Sequence, residues 1–141
     1  MRNTIDLPKN FFFGGKAVFT VESDATGLWK TFKLRKPKFE THEFALFSLV
    51  GPDNENSYAY VGMVNPADGS LRFTKASKRN DGSPDVVVFK WLMKGVFGDM
   101  TLGGGKVHHE GKCGCCGRTL TVPESIKRGI GPECWSKMGG L

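Results

Sequence analysis

All four cysteines of this chain lie between Cys113 and Cys134, and two of its three histidines stand just upstream. The stretch reads His108-His109-Glu110-Gly111-Lys112-Cys113-Gly114-Cys115-Cys116-Gly117 and runs on to Gly129-Ile130-Gly131-Pro132-Glu133-Cys134. A short, glycine-rich segment has little apolar surface to bury. So dense a supply of sulfur and imidazole therefore points to a bound metal as its stabilising element. Cys113 and Cys116 form C-x-x-C, whose gap lets a tight turn aim both sulfurs at one tetrahedral ion. Gly117 follows, where such a turn needs a residue that tolerates unusual dihedrals. Pro132 suits the first position of a helix. That places Cys134 in the first turn of a C-terminal helix, where the dipole favours the thiolate.

These spacings have the form of a structural zinc site and resemble the treble-clef layout, a two-ligand knuckle plus a ligand at a helix start. The fourth ligand stays open. His109, four residues before Cys113, ranks first, followed by His108 and then Cys115. Glu110 is less suited, since carboxylates hold structural zinc less often than Cys or His. Cys115 adjoins Cys116 and would need a strained geometry to share its metal. That adjacency also makes a pair of disulfides awkward, and no secretion signal places the chain in an oxidising compartment. Four protein ligands leave no position for water and no general base stands beside them, so the zinc is expected to be structural and the chain not an enzyme. The glycines at 103–105 are not followed by the Lys-Ser/Thr of a phosphate loop.

At 141 residues, 39 % of them hydrophobic, the chain has enough material for one modest core with a small appendage. The expected division is a β-rich domain with a C-terminal helix over 1–100 and a zinc module over 101–141. Lysine and arginine outnumber acids by 20 to 14, a net charge of +6 that favours polyanionic partners, nucleic acid first. Three thiolates and one Zn²⁺ contribute about −1, so the tail is less basic than its lysines imply. No stretch approaches the length of a transmembrane helix, and Met1 to Gly15 lacks the sustained apolar run of a signal peptide. The expectation is a soluble cytoplasmic protein with no membrane partner.

Alternation predicts a β-hairpin from Lys16–Ser23 and Leu28–Lys36 around Asp24-Ala25-Thr26-Gly27. Phe44–Val50 reads as a third, more apolar strand. A polar loop from Gly51 to Asn56 leads into Tyr58–Val64, and Asn65 to Gly69 turns into Leu71–Lys75. Five strands joined by short turns predict an α+β fold: an antiparallel meander or small barrel with one packed helix. That helix runs from about Pro84 to Phe97, with Ser83 as N-cap, Pro84 and Asp85 in the first turn, and Val86, Phe89, Leu92, Met93 and Val96 at helical spacing.

In the second strand Trp29, Thr31, Lys33 and Arg35 share one face, and Leu28, Phe32 and Leu34 the other. An aromatic beside two cations in a row is the pattern on which single-stranded nucleic acid stacks. A solvated outer face whose tryptophan is covered by another element gives the same pattern. Lys36 and Lys38 extend the basic run, Tyr58 and Tyr60 share a face further on, and Lys112, Arg118, Lys127 and Arg128 offer a second phosphate surface.

The tail motif His109-Glu110-Gly111-x-Cys113-x-x-Cys116-Gly117-Arg118-x-Leu120-Thr121-x-Pro123-Glu124-Ser125-Ile126, then Gly129-Ile130-Gly131-Pro132-Glu133-Cys134, resembles a family of short zinc-binding proteins of bacteriophages and of bacteria carrying mobile elements. Gly15-Lys16-Ala17-x-Phe19-Thr20 and Leu49-Val50-Gly51-Pro52-Asp53-Asn54 resemble the β-rich region that often precedes this tail. The resemblance implies phage origin and zinc held by His109, Cys113, Cys116 and Cys134; Cys115 departs from the pattern. It implies no activity. Two readings follow: a nucleic-acid-binding accessory protein of phage DNA or RNA metabolism, or a protein-binding module that redirects or inhibits a host polymerase or defence nuclease. The first expects an exposed Trp29 on a positive surface. The second expects an exposed apolar patch, with Phe11-Phe12-Phe13 the obvious place for one.

Overall fold

The computed structural model describes residues 2–24, 26–27, 29–51, 57–121 and 123–137. Leu28, part of the expected 24–27 turn and most of the expected 51–56 loop lie outside the described residues. In chain order the elements are β1 (Arg2–Thr4), α1 (Lys9–Phe12), β2 (Lys16–Ser23), β3 (Trp29–Arg35), β4 (Phe44–Leu49), β5 (Tyr58–Val64) and β6 (Leu71–Arg72). They continue with α2 (Pro84–Val96), β7 (Thr101–Gly103), β8 (Gly105–His109), α3 (Pro123–Arg128) and α4 (Pro132–Lys137). The fold is α+β, built on a six-stranded antiparallel sheet of order β6-β5-β4-β3-β2-β8, while β1 pairs with β7 in a two-stranded ribbon.

Strands β2 to β6 are the meander the alternation predicts, and the sheet is open, with β6 and β8 at its edges. Period-two alternation sends Ala17, Phe19 and Val21 of β2, Phe32 and Leu34 of β3, and Phe44 and Leu46 of β4 to one buried face. Helix α2 covers that face, with Phe89 against Phe32 at 5.7 Å between ring centroids. Its Val86, Phe89, Leu92, Met93 and Val96 are all buried, as the helical spacing requires.

Several local expectations give way to tertiary structure. Ser83 precedes α2 in extended conformation but makes no side-chain cap bond. Its hydroxyl accepts from the Asn80 amide instead. Strand β6 is cut to two residues, because a turn takes over in which the Thr74 amide donates to Ser77 Oγ. Phe11 and Phe12 are fully buried within α1 rather than forming an exposed patch, with Phe12 edge-on to Phe19 at 5.0 Å. The protein-binding reading thereby loses the surface proposed for it.

The sixth strand, β8, comes from the stretch read as the start of the zinc module. It pairs along β2 from Phe19↔His109 to Ser23↔Gly105. The tail beyond it joins the main core. Cys113, Leu120 and Ile130 lie in one buried cluster with Phe11, Phe12 and Phe19. Among the described residues no helix is long and apolar enough to cross a membrane.

Candidate functional site

Two features stand out, a cluster of thiols in the tail and the outer face of the sheet. The cluster is built on a tight loop. The Cys113 amide donates to the Arg118 carbonyl at 2.8 Å, and the Gly117 amide donates back to the Cys113 carbonyl at 2.9 Å. Lys112 and Thr119 bridge just outside this pair. The loop closes only because Gly117 sits at φ 79°, a left-handed conformation that a side chain would strain. Cys134 reaches the same point from the first turn of α4, as the proline before it predicts. The sulfurs of Cys113, Cys116 and Cys134 all lie within 4.8 Å of one another.

The loop is seated on the sheet by backbone contacts. The Lys16 amide at the start of β2 donates to the Gly114 carbonyl at 2.8 Å, and the Gly114 amide donates to the Gly129 carbonyl at 2.9 Å. A Cβ at Gly114 would lie 2.6 Å from the Phe11 ring, so only glycine permits this approach.

Without a cation the three sulfurs cannot readily ionise together. Burial alone would raise the Cys113 thiol, but the amides of Gly131, Cys116 and Cys115 turned on its sulfur outweigh burial and hold it at about 7. The Gly131 and Cys115 amides stand 3.3 and 3.4 Å from that sulfur. Burial, and then the neighbouring sulfurs of Cys116, Cys113 and Cys115, push Cys134 up to about 12. Once Cys113 ionises, a second thiolate beside it is strongly opposed. A divalent cation removes the conflict, and buried amides already directed at sulfur are the outer-shell support a metal thiolate needs. The three thiols therefore fit a metal ion.

Among the described residues the group holds these three members only. His109, expected as fourth ligand, ends β8 with both ring nitrogens engaged. Nδ1 accepts from the Gly111 amide at 2.9 Å, and Nε2 meets the Ile126 carbonyl. Its ring leans on Phe11 at 5.9 Å. His108 is exposed, and Cys115 is only partly buried.

The second feature is the outer sheet face. Trp29 is 64 % exposed there. Register places Thr31, Lys33 and Arg35 in line with it and sets Lys16 opposite Arg35 and Phe47 opposite Lys33. Phe47 in turn faces Tyr60, at 5.7 Å between rings, and Lys33 Nζ lies 4.2 Å over Tyr58. The face thus carries four aromatic side chains among three cations. At the β2 end it meets the tail in a groove of about 470 Å³ lined by Lys16, Lys33, Arg35, Lys112, Glu110 and Gly117, among others. Partial burial lowers the Arg35 pKa, yet a guanidinium keeps its charge at neutral pH.

The other cations expected at a phosphate surface are placed differently. Lys36 turns to the Thr41 carbonyl at 2.9 Å and over the Phe44 ring, off the outer face. Arg118 lies 3.7 Å from Glu133 beside the thiols. Arg128 folds over Trp135 at 4.8 Å, and Lys127 is exposed on α3. Lys16 and Phe47 were not legible as members of this face, because cross-strand register alone brings them to it.

A family of unknown function, DUF6011, matches residues 107–139, the segment that holds the thiol cluster. No curated protein and no solved structure matches the chain.

Proposed function

We propose that the chain is a zinc-containing protein that binds single-stranded nucleic acid across the outer face of its sheet. The observation that carries the reading is the exposed Trp29 in register with Lys33 and Arg35, continued by Phe47, Tyr58 and Tyr60 on neighbouring strands. Aromatic faces stack bases whatever their identity, and interleaved cations track the phosphates. The net charge of +6 favours the encounter. The tail resemblance implies a phage setting, and within it this reading makes the chain an accessory protein of phage DNA or RNA metabolism.

Zinc is the metal this reading assigns to Cys113, Cys116 and Cys134, because soft thiolates in a knuckle with a helix-start ligand suit it. Its role here is to fix the tail against β2, so that Lys112 completes the groove beside Lys16 and Arg35. Bound zinc would supply charge neutralisation for the thiolates and a rigid loop.

Gel-shift titrations on single- and double-stranded DNA and RNA at two salt concentrations test the reading. Affinity should depend weakly on sequence and fall steeply with salt, because phosphate contacts release counterions. Stacking is worth roughly 1–3 kcal/mol per base, so Trp29→Ala should weaken single-strand binding about tenfold or more without unfolding the chain. Lys33→Ala should shallow the salt slope by about one contact. No retardation of any single strand at physiological salt would refute the proposal.

A further inference from the structure

The three sulfurs open onto a pocket of about 290 Å³, whose walls include Cys113, Cys116, Cys134, Thr121 and Ser125, with Arg118 and Lys137 also lining it. Ser125 is 1 % exposed, and its hydroxyl has no hydrogen-bond partner among the described residues. A buried hydroxyl left unpaired is destabilising, so it marks a place suited to a polar group. Of the chain's own candidates for a fourth ligand, His109 is held by Gly111 and Ile126, and Cys115, though its sulfur neighbours Cys134, stands outside the group of three. The volume lies just below the roughly 300–1,000 Å³ range of drug-sized ligand sites, as suits a smaller molecule. The sulfurs form one wall, an unpaired hydroxyl another.

We propose that this pocket is a ligand site in which a small thiol, bound as its thiolate and carrying a second polar group for Ser125, completes the coordination of the metal. The inference rests on the metal reading above and goes beyond it: the fourth position is exchangeable, and none of the other described residues joins the group of three. A sulfur donor matches the softness of the three thiolates already present. Lys137, which lines the same pocket, offsets part of the negative charge that a fourth thiolate adds, while Arg118 there stands 3.7 Å from Glu133. Thr121 and Ser125 give the polar end of the ligand hydroxyl partners.

Cobalt(II) substitution followed by visible absorption tests the proposal, with 2-mercaptoethanol as probe. Sulfur-to-cobalt charge-transfer intensity scales with the number of bound thiolates, so saturation with the probe should raise it by about one third, one sulfur added to three. His109→Ala and Cys115→Ser should leave the spectrum and the titration unchanged. Ser125→Ala should weaken the probe about fivefold, the value of one hydrogen bond, and leave cobalt binding intact. The proposal is overturned if the probe adds no intensity, or if His109→Ala or Cys115→Ser alters the cobalt spectrum, which would make that residue the fourth ligand. Failure of the full-length chain to take up cobalt at all would instead overturn the metal reading on which the proposal stands.

Discussion

Phe11→Ala should damage the sheet and the metal centre together, although Phe11 is not itself one of the clustered thiols. Its ring is 0 % exposed and stands edge-on to Phe12 at 5.3 Å and to Phe19 at 6.5 Å. On its other side, Cβ atoms built on Gly114 and Gly129 would come within 2.6 Å of it, so the tail backbone lies directly against the ring. Phe→Ala in a core costs about 3–5 kcal/mol, more where the surroundings cannot collapse into the void. Part of this wall is backbone pinned by the Gly114–Gly129 and Lys16–Gly114 hydrogen bonds, which places the cost at the upper end, about 4–5 kcal/mol. For a domain of this size 1 kcal/mol moves the melting temperature by about 4 °C, so a fall of about 15–20 °C is expected. Circular dichroism melts with and without excess zinc, paired with metal analysis, measure both effects. Phe11→Leu should recover most of the loss, and Phe11→Ala should also hold its metal more weakly. A fall below about 1 kcal/mol with undiminished metal affinity would refute the idea that sheet and tail share one core.

Protein purified without added zinc should carry about one equivalent of metal, which Cys116→Ser should lose and Cys115→Ser retain, as elemental analysis would show. Gly95→Ala, ordinarily favourable in a helix by about 1 kcal/mol, should instead destabilise by about 1–3 kcal/mol. Its Cβ would fall 2.3 Å from the Thr101 carbonyl, and urea denaturation reads the sign. Asp85 is buried, which favours its neutral form, but hydrogen bonds including one from Arg79 at 2.9 Å outweigh burial and hold its pKa below the usual value. Its stabilising effect is therefore complete above about pH 4 to 5 and is lost as pH falls through the lowered folded value. Asp85→Asn should lower stability at pH 7 by about 2–3 kcal/mol and flatten that acid limb in melts taken from pH 7 to 3.

Sequence alone determined what local chemistry controls. Alternation in 16–23, 29–35, 44–49 and 58–64 wrote out β2 to β5, because period two is imposed by the backbone itself. Helical spacing from Val86 to Val96 gave α2. The C-x-x-C gap and Pro132 brought Cys113, Cys116 and Cys134 to one point, since a tight turn and a helix start each fix the direction of a sulfur. Tertiary structure decided the rest. Whether Phe11 and Phe12 face solvent or core depends on what packs over them, which no local pattern encodes. His108 and His109 read as metal donors, but Gly105–His109 is taken up as an edge strand because the exposed edge of β2 offers unpaired amides and carbonyls. His109 ends that strand, and its ring nitrogens meet the Gly111 amide and the Ile126 carbonyl. Alternation put Trp29, Lys33 and Arg35 on one face, but register alone joins that face across the strands. Lys16, Lys33, Arg35, Phe47 and Tyr60 are scattered along four strands, and hydrogen bonding between strands sets them side by side.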